Sequence, residues 1–276
     1  MKIVIALLSC AVASFSCSEN EDKMREPFGV ADHRLQQDLE IVRNSRIYFG
    51  HQSVGFNIIE GLKEVTSSSN TAPLNFVKVG DPRITPGGFF ADSQIGKNGK
   101  PDTKCRTFSE TVNKDLGNSL DIALMKFCYV DFTEETDVKV LFSTYKSTID
   151  TLQKSFPQIR FLHVTAPLAT RSPGWKRFIK QLIGRQDPSD LEAEKRSEFN
   201  SLLMNEYKTE PVFDLARIES THQDGTRSSF KSGSEEIFTL AEEYTDDGGH
   251  LNQLGRRLVA QELLHTLAQA AKSQSN

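Results

Sequence analysis

The chain has 276 residues, with 33 Lys+Arg against 37 Asp+Glu and a formal net charge of −4. That length suits one α/β domain of ordinary size or two small ones. The near-balance of charge, with no basic stripe carrying interleaved aromatics, argues against a nucleic-acid partner, and 18 Phe beside 5 Tyr and one Trp suit an apolar core.

The first residues differ in kind from the rest. Met1-Lys2 leads into the apolar run Ile3 to Leu8 and then small residues up to Ser16-Cys17, the layout of a secretory signal peptide. The run is too short for a permanent membrane span. Cys17, followed by Ser-Glu-Asn-Glu-Asp, resembles a bacterial lipoprotein junction, although Phe15 is larger than the residue usual there. Cys10 after Leu7-Leu8-Ser9 fits the local pattern better but leaves a very short apolar run. The expectation is a signal peptide over 1–17, a polar tether over 18–34 and one domain over 35–276. The protein is then exported to the periplasm or cell envelope, with a membrane tether if Cys17 is lipidated. An oxidising compartment would permit a Cys105–Cys128 disulfide, and two buried thiols are the alternative. Neither cysteine has zinc-site spacing, and no metal or other cofactor is expected.

A short helix is expected over Leu35 to Val42, and Arg46-Ile47-Tyr48-Phe49 reads as a buried strand. The turn Gly50-His51-Gln52-Ser53 then opens a helix with Ile58, Ile59, Leu62 and Val65 on one face, so the pair reads as a βα unit. Leu74 to Val79 is a second strand. Residues 80 to 118 are rich in Gly, Pro, Asp and Asn, and so long a loop in a compact domain suggests a site. Asp121 to Phe127 is a third strand, and Thr133 is expected to cap a helix reaching Phe156. Ile159 to Val164 is a fourth strand. A basic excursion over 169 to 190 bears Trp175, a helix spans Leu191 to Tyr207, and Pro211 to Asp214 is a short fifth strand. Thr221 to Ser234 reads as irregular and precedes a helical stretch. The motif Asp247-Gly248-Gly249-His250 closes the chain's loops before a last amphipathic helix carrying Leu263, Leu264 and Leu267. Alternating strands and helices argue one parallel sheet, with sites at the C-terminal strand ends.

The chemistry follows from three residues. Ser53 sits at a strand end and opens a helix, whose N-terminal N–H groups favour an oxyanion. His250 is the base such a hydroxyl needs, and Asp247 would fix the imidazole tautomer. The rival readings are structural: Ser53 as a helix cap, Asp247 as a cap of the last helix and His250 as a packed surface residue. His51 is read as bonding a loop, and His163 as a core histidine. Lys126 is expected to pair with Asp131 or to touch substrate. Asp214 and Glu219 follow the fifth strand without a clear role.

Phe49-Gly-His-Gln-Ser-Val-Gly55, Ile95 to Gly99, Met125 to Asp131 and Asp247 to Asn252 together resemble the SGNH (GDSL-type) hydrolases, in particular a bacterial subgroup with GHQSVG and DGGHLN blocks. The likeness covers about residues 46 to 268. It implies a three-layer flavodoxin-like α/β fold with a central, mostly parallel five-stranded sheet. It implies hydrolysis of an ester by Ser53, His250 and Asp247. It also implies an oxyanion hole from the N–H groups of Ser53 and Gly96. The asparagine usual after the third strand is replaced by Cys128-Tyr129-Val130-Asp131, leaving Asn98 as the substitute donor. Losing one such donor costs roughly 3 kcal/mol of transition-state stabilisation. The expected substrate is a short acyl or acetyl ester, on a small molecule or a glycan. The alternative is a non-catalytic glycan-binding or envelope-interaction lipoprotein on the same fold.

Overall fold

Alternate residues of the central strands enter two different cores, and that period of two sets the architecture. Ile47, Phe49, Ile122, Leu124, Leu162 and Val164 join one apolar cluster, whereas Tyr48, Ala123, Met125 and Phe161 join the other. A sheet buried on both faces reads as a continuous apolar run, as parallel sheets do. The computed structural model describes residues 28–67, 72–80, 87–175, 180, 182 and 186–272.

In chain order the described elements begin with α1 (Phe28–Arg43), β1 (Arg46–His51), α2 (Ser53–Ser67), β2 (Phe76–Lys78), β3 (Phe89–Gln94) and α3 (Pro101–Thr111). They continue with β4 (Ile122–Met125), α4 (Val138–Ser155), β5 (Arg160–Val164), α5 (Pro188–Glu206), β6 (Val212–Phe213) and α6 (Leu215–Ser220). The hairpin β7 (Ser229–Ser232) and β8 (Glu235–Phe238) precedes the last helix, α7 (Gln253–Lys272). The sheet order is β2-β3-β1-β4-β5-β6, and every pair in it is parallel. Helices α1, α2 and α7 cover one face through Leu39, Val42, Ile58, Leu62, Val259, Leu263 and Leu267. Helices α3, α4 and α5 cover the other through Phe108, Leu141, Tyr145, Leu152, Phe199 and Leu203. The result is the expected α/β three-layer arrangement.

Several boundaries differ from expectation. The sheet has six strands rather than five, because β3 lies within the stretch read as one long loop. Its sequence, Phe-Phe-Ala-Asp-Ser-Gln, has apolar residues packed on both faces at its start and polar ones at its end, so neither strand template fits. The same stretch holds α3, whose apolar face is thin: only Cys105 and Phe108 are buried apolar residues. Helix α1 begins at Phe28 rather than Leu35, so the end of the expected tether is helical. Helix α4 is capped by Asp137, whose carboxylate accepts from the Val140 N–H, and not by Thr133, which sits in a turn with Thr136. The segment before the Asp-Gly-Gly-His motif contains the hairpin β7–β8, with β7 inside the stretch expected to be irregular and β8 where a helix is expected. Cys105 and Cys128 are buried free thiols. The signal peptide, the greater part of the tether, Cys10 and Cys17 lie outside the described residues.

Candidate active site

Three loops meet at the C-terminal edge of the sheet, and β1 lies in the middle of them. Strand register places His51 level with Gln94 on one side and Gly50 level with Met125 on the other. Neighbouring strands lie about 4.8 Å apart. Ser53, two residues past His51, is therefore flanked by the loop after β3, which carries Gly96 and Asn98, and the loop after β4, which carries Cys128 to Asp131.

Ser53 is the first residue of α2. The first N–H groups of a helix have no intrahelical partner, so the Ser53 N–H and the helix dipole both face this edge. Gln52 ties the nucleophile turn to the next loop, its side-chain amide donating to the carbonyls of Ile95 at 2.9 Å and Gly96 at 3.0 Å. His51 is fully buried beneath, with Nε2 at 3.2 Å from Asp92 and Nδ1 at 3.0 Å from the Gln52 carbonyl. It is a structural residue, as its sequence position suggested.

The motif before α7 forms its own compact unit. Gly248 has φ of +89°, a left-handed backbone that lets the loop turn back on Asp247. Asp247 Oδ1 then accepts the N–H groups of His250 at 2.8 Å and Gly249 at 2.9 Å. Its Oδ2 lies 2.6 Å from His250 Nδ1. The His250 and Gly249 N–H groups and the imidazole together hold the Asp247 carboxyl well below the usual carboxylate range. An ionised Asp247 fixes Nδ1 as the protonated nitrogen, which leaves Nε2 with a free lone pair. Both side chains stay accessible, His250 at 40 % and Asp247 at 57 %.

Two contacts bring this unit to the serine edge. Asn57 accepts the Leu251 N–H on its side-chain oxygen at 3.2 Å. Ser53 lies four residues earlier on the same helix and hence on the same face as Asn57. From the other flank, the Tyr129 ring meets the His250 ring edge-on, 5.9 Å between centroids and 77° between planes. The Thr170 N–H donates to the Gly248 carbonyl at 2.8 Å and anchors the loop to the chain after β5. The structure thus bonds Asp247 to His250 and ties Leu251, the residue after His250, to the face of α2 that carries Ser53. Ser53 Oγ makes no hydrogen bond with any described residue, His250 included. Such contacts are often long before substrate arrives.

The loop after β4 does not work as the sequence suggested. Asp131 pairs with Lys104 from α3, both side chains fully buried, and not with Lys126. Its carboxylate also accepts the N–H groups of Gly99 at 2.9 Å and Cys128 at 2.7 Å. Lys126 is buried as well and donates to the Phe127 carbonyl at 3.0 Å. Burial depresses its ammonium pKa. Asp214 caps α6, accepting from the Arg217 N–H. Glu219 is buried on α6 and accepts the Leu168 N–H at 2.6 Å, while burial pushes its carboxyl up to about 8. His163 is a core histidine, bonded to Tyr145 at 2.8 Å and facing Glu210 at 3.2 Å.

Tyr129, Asn57, Thr170 and Lys104 escaped the sequence reading. Tyr129 stood in a named block without a role, and Lys104 and Asn57 are polar residues on helices whose partners are remote in sequence. No local signal marks them.

The sequence matches no family model and no curated protein. Among solved structures it is similar to the acetyl xylan esterase AlAXEase, at 15 % identity and TM-score 0.46, covering 79 % of this chain and 97 % of that one. A carbohydrate esterase family 3 protein from Talaromyces cellulolyticus aligns at 11 % identity and TM-score 0.44, covering 83 % and 97 %. A protein from Desulfitobacterium hafniense DCB-2, described as of the G-D-S-L lipolytic family, aligns at 11 % identity and TM-score 0.45, covering 81 % and 99 %. Likenesses this distant add no weight to any assignment of chemistry, which has to come from the site itself.

Proposed function

We propose that the protein is a serine hydrolase of SGNH type that cleaves a short-chain carboxylic ester. The observation that carries this reading is the Asp247–His250 unit, held by Asn57 and Tyr129 beside the helix face of Ser53. In the first step the Ser53 Oγ–carbonyl carbon bond forms, the Ser53 proton passes to His250 Nε2, and the carbonyl π pair moves onto oxygen. The N–H groups of Ser53 and Gly96, with the Asn98 amide, receive that oxyanion. Collapse breaks the carbon–oxygen ester bond, and His250 returns its proton to the departing alcohol. Water repeats the sequence on the acyl-enzyme and releases the acid.

The Gly96 N–H and the side-chain NH2 of Asn98 have no partner among the described residues, so both remain available as donors. The loops that flank the Ser53 turn carry Gln52, Gly96, Asn98 and His250, small or polar residues that suit an acetyl or other short acyl group on a hydroxylated carrier such as a sugar. The amino-terminal leader pattern supports an envelope carrier, and a lipidated Cys17 would tether the enzyme beside it. A non-catalytic glycan-binding lipoprotein is the rival reading, favoured by the unbonded Ser53 hydroxyl and the absent asparagine after β4.

Purified protein with a fluorophosphonate probe and p-nitrophenyl acetate separates the two. Labelling at Ser53, with turnover lost in Ser53→Ala, supports the hydrolase. A folded protein that neither labels nor turns over ester establishes the binder.

A further inference from the structure

We infer that the buried Lys104–Asp131 pair does the work of the missing asparagine at second hand, by positioning Asn98 as the third oxyanion donor. The inference rests on the serine-hydrolase reading and extends it to residues that never touch substrate.

The geometry runs in one direction. Lys104 projects from α3 into the protein, with its ammonium fully buried. A buried ammonium needs acceptors, and two are provided: Asp131 and the side-chain oxygen of Asn98, at 3.0 Å. An ammonium has no lone pair, so only the oxygen of the Asn98 amide can face it. The amide NH2 of Asn98 is then the end turned away from the Lys104 ammonium, and the residue is exposed. Lys104 thus determines which end of Asn98 is presented.

Asp131 completes the device by joining the two loops that flank Ser53. One carboxylate oxygen accepts the Gly99 N–H, next to Asn98, and the other accepts the Cys128 N–H at the end of β4. The loop is also held from Thr103, whose hydroxyl accepts the Lys97 N–H at 2.9 Å, and from Gln52 through the Ile95 and Gly96 carbonyls. The bonds around Gly96 to Gly99 anchor carbonyl and amide oxygens and the N–H groups of Lys97 and Gly99, and among the described residues the Gly96 N–H, the Asn98 backbone N–H and the Asn98 side-chain NH2 are the donors left over. Asparagine after β4 would place a donor on the far side of Ser53. Here an acid occupies that loop, turned inward and neutralised, and the donor comes from the near side.

The test is a kinetic cycle on Asn98→Ala, Lys104→Met and the double variant, with kcat and KM for p-nitrophenyl acetate and thermal unfolding of each. Asn98→Ala, at an exposed position, is expected to fold normally and to lose roughly 100-fold in kcat with little change in KM. Lys104→Met is expected to lose a similar factor, and the double variant no more than either single one, because both remove one donor. If Lys104→Met fails to fold, Lys104→Gln with Asp131→Asn keeps a neutral hydrogen-bonded pair, and kcat is expected to return towards wild type only while Asn98 is present. Wild-type kcat in Asn98→Ala overturns the inference, and so do multiplicative losses in the double variant. Loss of turnover in Ser53→Ala alongside an unaffected Asn98→Ala refutes the positioning role alone. Full turnover in Ser53→Ala refutes the hydrolase reading and this inference with it.

Discussion

Gly249 gives the sharpest check on how the site is assembled. A Cβ placed on this residue would lie 2.5 Å from Tyr129 Cζ and 2.6 Å from its hydroxyl. Carbon atoms prefer about 3.5 Å or more, so in Gly249→Ala the ring and loop must separate by roughly 1 Å. The Tyr129 backbone is held at its carbonyl by the buried Arg196 guanidinium at 3.2 Å, so the adjustment falls on the side-chain torsions of the ring. The same ring supports the His250 imidazole. Overpacking of this kind costs about 1–3 kcal/mol, and a displacement of about 1 Å in a catalytic group can cost on the order of 100-fold in rate. Gly249→Ala is therefore expected to lower kcat/KM for p-nitrophenyl acetate by one to two orders of magnitude, with only a few degrees lost in Tm. Tyr129→Phe would not relieve the clash, since Cζ remains, whereas Tyr129→Ala in the Gly249→Ala background should recover part of the activity. An unchanged kcat/KM in Gly249→Ala, or a double variant no better than the single one, would show that the ring does not set His250.

Asp247→Asn should leave the loop folded but offer an NH2 group to Nδ1, favouring the wrong tautomer; a fall in kcat of about 10⁴-fold is expected by analogy with other triads, and a loss below tenfold refutes the relay. Glu219 titrates near 8 in the folded protein against a reference of 4.5, because burial penalises its anion. Over that window the folded state keeps a proton that the unfolded chain has lost, so stability falls as pH rises from about 5 to 8. The loss is on the order of 5 kcal/mol, taking ~1.4 kcal/mol per pH unit over the shift from 4.5 to about 8, which already includes the opposing pull of Lys126 and Arg196. Urea unfolding of Glu219→Gln should lack that slope, and an equal slope in wild type and variant contradicts it. Burial pushes the Cys105 thiol up to about 12, so native protein should resist iodoacetamide at Cys105 at pH 8 and react after denaturation; ready native labelling would show an open α3.

The site's two halves differed in legibility for a physical reason. Ser53, Asp247 and His250 sit at element junctions, where helix-cap chemistry and glycine turns leave local marks, and Asp247 and His250 are close enough in sequence for their bond to be foreseen. Residue 53 is linked to 250 through Asn57, a polar residue four positions into a helix whose partner is a backbone N–H far along the chain. Strand β3 was hidden because its exit residues, Asp92 and Ser93, bond His51 and Tyr48 of the neighbouring strand. Those polar side chains serve the sheet's edge chemistry and erase the apolar period that would mark a strand. Asp131 shows the same limit most clearly. By residue type it is a poor oxyanion donor, and at that position alone it argues against catalysis. Only the fold reveals Lys104 beneath it, which removes the acid from the site as a charge and makes it a clamp between the loops after β3 and β4. On the reading proposed above, the task of the missing side chain passes to the loop after β3, which the buried Lys104–Asp131 pair fixes. The asparagine absent after β4 counts against the chemistry only if Asn98 is free to turn its amide, and Lys104 prevents that.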